Sequence, residues 1–294
     1  MRGMLIALLL VLLFSHQASA RDIFVDNLNG DDRRGGRTPD SQGAAGGPCR
    51  TIAKALRIAD PSDRIIIANT GTPYREAISI QGARHSGDSS FPFEIIGNGA
   101  TLDGTVSLDG AKWEHEQGDV FRTRPAKMSF QQLFLDQRPI TRKRSADSRP
   151  AQLAALEWSL SDGWIYFRTE KDRLPQAYNL SCCGEQTGIT LYDVHDVIVS
   201  DLVVRGFHLD GVNAHDNVRR SDLIGLNCRE NGRSGISVGG SSRIRIDSCN
   251  ASANGVAQFR IEGYSIAQLV GNAFNPATAP AILREGGRII DEKE

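Results

Sequence analysis

The sequence carries almost no net charge: 34 Lys and Arg residues stand against 35 Asp and Glu residues in 294. This balance gives no basic surface of the kind that binds DNA or RNA, so we expect no nucleic-acid partner. Five cysteines are an odd number, which does not suit a disulfide framework, and none has the spacing of a zinc site. No glycine-rich phosphate-binding loop opens a helix, and the sequence specifies no cofactor with certainty.

Long apolar runs are also scarce. The unbroken run from Leu5 to Phe14 follows the basic residue Arg2 and precedes Ala18-Ser-Ala20. This order is that of a secretory signal peptide, residues 1–20, cleaved after Ala20. The run is too short to span a bilayer, so we expect a secreted, periplasmic or cell-surface protein without stable membrane insertion.

Helical spacing of apolar residues is absent between Gly188 and Gly263, where the chain instead repeats every 23 to 24 residues. Each copy alternates apolar and polar residues, and the copies begin at Gly188-Ile-Thr-Leu-Tyr, Gly211-Val-Asn-Ala-His, Gly235-Ile-Ser-Val-Gly and Gln258-Phe-Arg-Ile-Glu. Three short strands and their turns fit in such a period at roughly 3.3 Å per residue. The sequence therefore predicts rungs of a parallel β-helix, because the leucines are too sparse for a leucine-rich repeat.

The same alignment bears on the cysteines. Cys228 and Cys249 fall in apolar columns and are expected to be buried thiols, although a disulfide between them is the open alternative. Cys182-Cys183 is interpreted as a pair in a loop.

Before the repeat, residues 21–104 are expected to form a cap and the first rungs. Thr51 to Ala59 has helical spacing and predicts a short helix laid across the end of the core. The segments that predict strands around it are Ile23 to Asp26, Asp63 to Ile67, Ala77 to Ile80 and Phe93 to Ile96.

The remaining boundaries follow from where the period stops. Residues 105–180 alternate in short aromatic-rich segments and predict a strand-rich antiparallel insertion. Residues 181–275 are assigned to regular rungs, and residues 276–294 to a charged C-terminal tail with little pattern.

The N-terminal segments Asn29-Gly-Asp-Asp32, Pro48-Cys-Arg-Thr-Ile-Ala-Lys-Ala-Leu56 and Asp63-Arg-Ile-Ile-Ile67 resemble those of secreted bacterial right-handed parallel β-helix proteins of the pectate-lyase-like superfamily. The resemblance implies an all-β solenoid with an N-terminal capping helix. It also implies that a cleft, if one exists, lies on the outward face of the Gly-started strands, with the insertion as one wall. It is weak for activity, since that superfamily includes polysaccharide lyases, glycoside hydrolases and members with no known reaction.

Residues one period apart should be neighbours in adjacent rungs, at roughly 4.8 Å. Three outward rows follow: Thr190, Asn213, Ser237 and Arg260; Tyr192, His215, Gly239 and Glu262; Asp193, Asp216, Gly240 and Gly263. The carboxyl groups of Asp193 and Asp216 would then be roughly 5 to 6 Å apart, which suits a retaining glycosidase. The alternative is that both are simply turn residues at strand ends.

The run from His208 to Asp216 holds the densest group of reactive side chains in the chain. The candidate catalytic residues are Asp193, Asp216, His215 and Asp210. The candidate substrate-binding residues are His208, Asn213, Tyr192, Arg260 and Glu262. The candidates for the base of a β-elimination are Arg219, Arg220, Arg260 and His215. Asp193, Asp216 and Asn213 are candidate ligands of a calcium ion.

These residues favour a monomeric, exported protein that binds an extracellular polysaccharide and cleaves it by hydrolysis or β-elimination. The alternative is a non-catalytic cell-surface or matrix protein with a binding or structural role.

Overall fold

A computed structural model describes residues 20–40, 46–126, 130–144 and 152–292. The predicted signal peptide lies outside these residues except for Ala20. Within the described ranges no helix combines the length and apolar character needed to cross a membrane.

The N-terminal part is built as the sequence predicts, with strands whose alternate residues are buried. Its elements are β1 (Asp22–Val25), α1 (Ile52–Ile58), β2 (Arg64–Ile67), β3 (Ile78–Gln81) and β4 (Phe93–Asp103). A single 3₁₀ turn, Ala83–His85, follows β3. Strand β4 continues well beyond the predicted Ile96, because after a turn at Asn98, a residue that tolerates its φ of 50°, the chain pairs again.

Helix α1 closes one end of the core. Thr51 caps it by accepting a hydrogen bond from the Lys54 amide at 3.1 Å, and the Glu76 carboxylate accepts from the first helical amides, Ile52 and Ala53, at 3.0 and 2.9 Å. The helix buries Ile52, Ala55 and Leu56 against the solenoid core. The predicted cap is confirmed.

The insertion contains two antiparallel sheets and its own small core around Trp158 and Phe167. Its strands are β5 (Thr105–Ser107), β6 (Glu114–Gln117), β7 (Val120–Thr123), β8 (Leu133–Leu135), β9 (Arg138–Pro139), β10 (Trp158–Ser161), β11 (Trp164–Arg168) and β12 (Leu180–Cys183). A 3₁₀ turn, Pro175–Ala177, precedes β12. Cys182 and Cys183 therefore lie in a strand, and their interpretation as a loop pair was wrong, because β12 pairs on both sides with β5 and β8.

The regular rungs follow with parallel pairing throughout. Their strands are β13 (Ile189–Tyr192), β14 (Val197–Arg205), β15 (Asp210–His215), β16 (Ser221–Ile224), β17 (Asn227–Arg229), β18 (Ser234–Val238), β19 (Arg243–Asp247), β20 (Asn250–Ser252), β21 (Ala257–Val270), β22 (Ala273–Phe274) and β23 (Ile282–Glu292). Eleven of the strands form one curled hydrogen-bonded path, from β1 round to β3.

This path wraps the chain into a solenoid with three faces. Face A consists of β3, β13, β15, β18 and the first halves of β21 and β23. Face B consists of β1, β2, β16, β19, the first halves of β4 and β14, and the second halves of β21 and β23. Face C consists of the second halves of β4 and β14 with β17, β20 and β22. The predicted parallel β-helix is confirmed.

Two buried asparagines fix the corner between face C and face A. The Asn254 carboxamide oxygen accepts from the Asn231 main-chain amide at 2.9 Å, and its nitrogen donates to the Cys228 carbonyl at 3.0 Å. Asn231 repeats this role one rung earlier, where its oxygen accepts from the Phe207 amide at 3.1 Å. Both side chains are fully buried, so this ladder satisfies main-chain groups that water does not reach.

The insertion leaves the solenoid after face C and returns to it before face A, and it packs on that same corner. Gln132 donates to the carbonyls of Asn231 and Ala253 at 3.5 and 3.3 Å. Arg144 donates to the Gly255 carbonyl at 2.5 Å. The insertion is thus held by main-chain carbonyls of successive corner turns.

The C-terminal segment corrects one prediction. Residues 276–294 were expected to be a tail with little pattern, yet Ile282–Glu292 form an eleven-residue strand that pairs with β21. Gly286 and Gly287, with φ of 121° and 64°, turn this strand from face A to face B and interrupt its alternation. The segment is one more rung.

All five cysteines are free and buried. Cys228 and Cys249 occupy interior positions as expected, and burial raises the pKa of both thiols. They act as small apolar side chains.

Candidate functional site

The register of face A confirms the first outward row predicted from the repeat. Thr190 pairs with Asn213, Asn213 with Ser237, and Ser237 with Arg260. Inward neighbours such as Val212 and Ile236 are buried, so the pleat directs this row away from the core. Ser237 is nevertheless only 1% exposed, and the row is open mainly at Thr190, Asn213 and Arg260.

The second row is also in register and surrounds a gap. Tyr192 pairs with His215, and Gly239 and Glu262 continue the row. A Cβ atom placed on Gly239 would lie 3.0 Å from Glu262 Oε1 and 3.3 Å from His215 Nδ1. At the next residue, a Cβ atom on Gly240 would lie 2.3 Å from Asp216 Oδ1. We name this space the diglycine notch; His215, Asp216 and Glu262 border it.

His215 and Asp216 are coupled. His215 Nε2 lies 3.2 Å from Asp216 Oδ2, and both side chains are about half exposed at 46% and 50%. The φ of 49° at Asp216 turns the chain at the strand end, which brings consecutive side chains to one side. The carboxylate orients the imidazole and leaves Nδ1 toward the notch.

Asp193 lies next to Asp216 as the repeat predicts, since its amide donates to the Asp216 carbonyl at 2.9 Å. Its Oδ1 accepts from Asn217 Nδ2 at 2.6 Å. Asp193 and Asp216 both have a φ of 49°, a conformation that Asp adopts readily in turns. A role for these two residues as a glycosidase pair stays a prediction.

Arg260 and Glu262 form a network with the last rung. Arg260 Nη2 donates to Glu262 Oε2 at 2.5 Å, and Arg260 Nε donates to Glu285 Oε2 at 2.6 Å. The Arg260 side chain is 14% exposed, and Glu262 is 33% exposed. The network holds Glu262 beside the notch.

Asp210 and His208 lie at the start of face A and are buried. Both Asp210 oxygens accept from Arg233, at 3.0 and 2.5 Å, and the Asp210 side chain has no exposed surface. His208 is 6% exposed. The predicted catalytic role of Asp210 and substrate-binding role of His208 stay predictions, but their buried positions suit residues that stabilise the start of strand β15.

One polar group was missed from the sequence. Asp196 is buried and accepts from Arg220 at 2.9 and 2.6 Å, and His195 Nδ1 lies 2.8 Å from Asp196 Oδ2. The hydrogen bonds from Arg220 are the main cause of the lowered pKa of Asp196. The available signal was the spacing of Asp196 and Arg220, 24 residues apart, which is one period. The Arg220 guanidinium therefore pairs with the buried Asp196 carboxylate of the preceding rung.

Strand β18 contains a sequence that matches the nucleophile motif of serine hydrolases. Gly235-Ile-Ser-Val-Gly239 matches the Gly-x-Ser-x-Gly pattern, but it runs along strand β18 instead of forming a strand-to-helix turn. The buried Ser237 is therefore not placed as an exposed nucleophile.

The described residues of the insertion, 105–126, 130–144 and 152–180, do not wall the diglycine notch in the way the sequence suggested. Its contacts lie at the corner before face A, whereas Asp193 and Asp216 lie at the corner after it. Cavities of about 570 Å³ within the insertion and about 420 Å³ between insertion and solenoid have linings that include neither Asp193, His215 nor Asp216.

For the ranges that the structure describes, no three His, Cys, Asp or Glu side chains are grouped to hold a metal ion. Calcium binding by Asp193, Asp216 and Asn213 stays a prediction.

No protein-family model matches this chain. No curated protein matches it significantly in sequence. Several solved structures match the chain. The first, a complex of XylC with xylose, has 12% identity and a TM-score of 0.42, with 92% of this chain and 70% of the other covered. A glycoside hydrolase has 10% identity and a TM-score of 0.48, over 92% and 86% of the two chains. Pectate lyase Pel9A has 14% identity and a TM-score of 0.39, over 91% and 58%.

These likenesses are too distant to transfer a residue role, so the strand pairing of the chain itself defines its class. The protein is a parallel β-helix with an N-terminal helical cap and an antiparallel insertion.

Proposed function

We propose that this protein is an exported carbohydrate-active β-helix that binds a polysaccharide along face A and cleaves it at the diglycine notch. The observation that carries the proposal is the notch itself. His215 Nδ1 and Glu262 Oε1 lie only 3.3 and 3.0 Å from the position that a Cβ atom on residue 239 would take, so the imidazole and the carboxylate approach each other over a glycine.

Binding is supported by the spacing of the outward rows. Thr190 and Asn213 present donors and acceptors on successive rungs, roughly 4.8 Å apart, and Arg260 lies two rungs beyond Asn213. Tyr192 is 45% exposed and offers an aromatic face beside them. A linear polymer of hydroxyl-bearing rings can use such a repeated polar strip and pack one ring on the tyrosine.

Cleavage is supported by the two sides of the notch. Asp216 orients His215, whose Nδ1 faces the notch, and Glu262 Oε1 lies on the other side. Proton transfer by two such groups, one acting as acid and one as base, serves both glycoside hydrolysis and removal of a proton next to a uronate carboxylate.

A non-catalytic binding role is the second candidate. It is favoured by the ion pair between Arg260 and Glu262, because one oxygen of that carboxylate is already bound by the guanidinium. In that case face A would bind a polysaccharide at the cell surface without changing it.

The test is a screen of the purified chain from Arg21 onward against neutral and uronate-containing polysaccharides. Hydrolysis is measured as reducing ends, and β-elimination as the ultraviolet absorbance of the conjugated double bond in the unsaturated product. We expect His215→Ala and Glu262→Gln to abolish cleavage with nearly unchanged melting temperatures. His115→Ala, at an exposed histidine of the insertion, is the matched control.

Full cleavage by both site variants would contradict the proposed notch. Binding without any product would favour the second candidate. Loss of folding in either variant would assign that residue a structural role. Export is tested separately, by the mass of the mature protein, which should begin at Arg21.

A further inference from the structure

A cleft of about 420 Å³ separates the insertion from the solenoid and is independent of the diglycine notch. Arg142, Arg144 and Ile140 of the insertion line one side, and Gly255 and Thr278 of the solenoid line the other. We name it the arginine cleft.

Arg142 is unusual in this cleft because no carboxylate of the described residues neutralises its charge. Its Nε atom is buried and has no hydrogen-bond partner. Among residues 20–40, 46–126, 130–144 and 152–292, no carboxylate forms an ion pair with Arg142 or Arg144. Burial, followed by the repulsion of Arg144, lowers the pKa of Arg142. Its guanidinium lies 5.3 Å from the centre of the Trp158 ring.

Two other arginines of low exposure each have a carboxylate partner. Arg205 Nε lies 2.8 Å from Glu230, and Arg233 Nη2 lies 2.5 Å from Asp210. Burying a cation costs free energy that a paired carboxylate normally offsets. Arg142 lines a cleft and has no counterion among the residues that the structure describes, so it is arranged for an anion that comes from outside.

We propose that the arginine cleft is a second saccharide subsite that binds the carboxylate or sulfate group of an acidic oligosaccharide. This inference rests on the proposed function, since it assigns a charge to the saccharide. Guanidinium groups bind such oxyanions through two parallel hydrogen bonds.

The rest of the cleft suits a sugar ring. Arg144 is fixed by its hydrogen bond to the Gly255 carbonyl, which holds one guanidinium at the rim. Pro139, Ile140 and Ala277 supply apolar surface for the carbon face of a ring, and Thr278 supplies a hydroxyl. The cleft therefore combines anion and ring recognition.

The experiment is isothermal titration calorimetry of the chain from Arg21 onward with three probes: trigalacturonate, a sulfated disaccharide and an uncharged trisaccharide. The two charged probes distinguish a carboxylate from a sulfate ester. We expect at least one of them to bind more tightly than the uncharged probe. Arg142→Gln should weaken that binding by on the order of tenfold, as for loss of a charge-assisted hydrogen bond.

Arg138→Gln is the matched control, because Arg138 is exposed on the same hairpin and lies outside the cleft lining. It should leave binding unchanged. Arg142→Gln should unfold at the same or a higher temperature than the unmodified chain, since it removes a half-buried charge that pairs with no described carboxylate. Arg142→Lys keeps the charge and should bind severalfold more weakly than arginine.

Several outcomes would overturn the inference. One is equal binding of charged and uncharged probes, and another is unchanged affinity in both Arg142 variants. Binding of inorganic sulfate but of no saccharide would also overturn it. If saccharides bind or are cleaved at face A regardless of Arg142, this inference alone fails, whereas absence of any saccharide binding removes the proposed function too.

Discussion

Replacing Gly239 by alanine tests the diglycine notch most directly, because the structure predicts a large effect on activity and a small effect on stability. The added Cβ would meet Glu262 Oε1 at 3.0 Å and His215 Nδ1 at 3.3 Å. Both neighbours are the ends of side chains that can move by a few tenths of an ångström. Gly239 is not among the glycines with positive φ, so alanine fits the backbone.

The expected magnitudes follow from these contacts. Alanine restricts the unfolded chain more than glycine, which stabilises a compatible site by about 0.4 to 1 kcal/mol. Relaxation of the two contacts offsets part of this gain, so the free energy of unfolding should change by less than about 1 kcal/mol. Displacing reacting groups by up to 1 Å costs on the order of a hundredfold in rate. We therefore expect cleavage to fall by on the order of tenfold to a hundredfold.

Gly240→Ala is the matched comparison. Gly240 has a φ of 63°, and its Cβ would lie 2.3 Å from Asp216 Oδ1. The left-handed backbone alone costs an alanine roughly 1 to 2 kcal/mol. Urea unfolding should thus separate the two variants, and product formation on the polysaccharide found by the screen should fall in both. Native activity in a folded Gly239→Ala variant would refute the notch as the place where substrate reacts.

Three further outcomes are expected. Asn254→Ala should lower the free energy of unfolding in urea by about 3 kcal/mol, since it leaves buried main-chain groups without partners, whereas Asn272→Ala, at a half-buried corner, should cost less than half as much. Asp210→Asn should destabilise by about 3 kcal/mol in the same assay because Arg233 loses its counterion; lost activity at unchanged stability would instead support the predicted catalytic role. Burial lowers the pKa of His85 below its ordinary value of 6.5. The unfolded chain therefore binds the proton more readily, and the stability should fall as pH drops below about 6.5. Melting curves measured across pH should show a smaller loss in His85→Gln.

The rows on face A could be predicted from sequence because the repeat converts spacing along the chain into adjacency in space. The pairing of Tyr192 with His215 and the contact of Asp193 with Asp216 both follow from a period of one rung. The capping helix was also predictable, since its apolar spacing and its Thr51 cap are local features.

What the sequence could not supply depends on contacts outside the period. The position of the insertion on the solenoid is set by side chains such as Gln132, which donate hydrogen bonds to main-chain carbonyls. Because every residue has such a carbonyl, the sequence does not show which ones are bound. The last strand was missed because Gly286 and Gly287 interrupt its alternation at the corner. The pairing of Asp210 with Arg233, by contrast, spans 23 residues, or one period, and could have been found from spacing like that of Asp196 and Arg220.

The entry point of the insertion also bears on how the chain folds. From β13 onward each rung pairs with residues about one period away, but β4 must find β14 across the whole insertion, as in the pair Phe93 and Val197. Closing that longer loop costs roughly 1 kcal/mol more in chain entropy than closing a single rung. We therefore expect the rungs from Gly188 onward to pair before β4 pairs with β14.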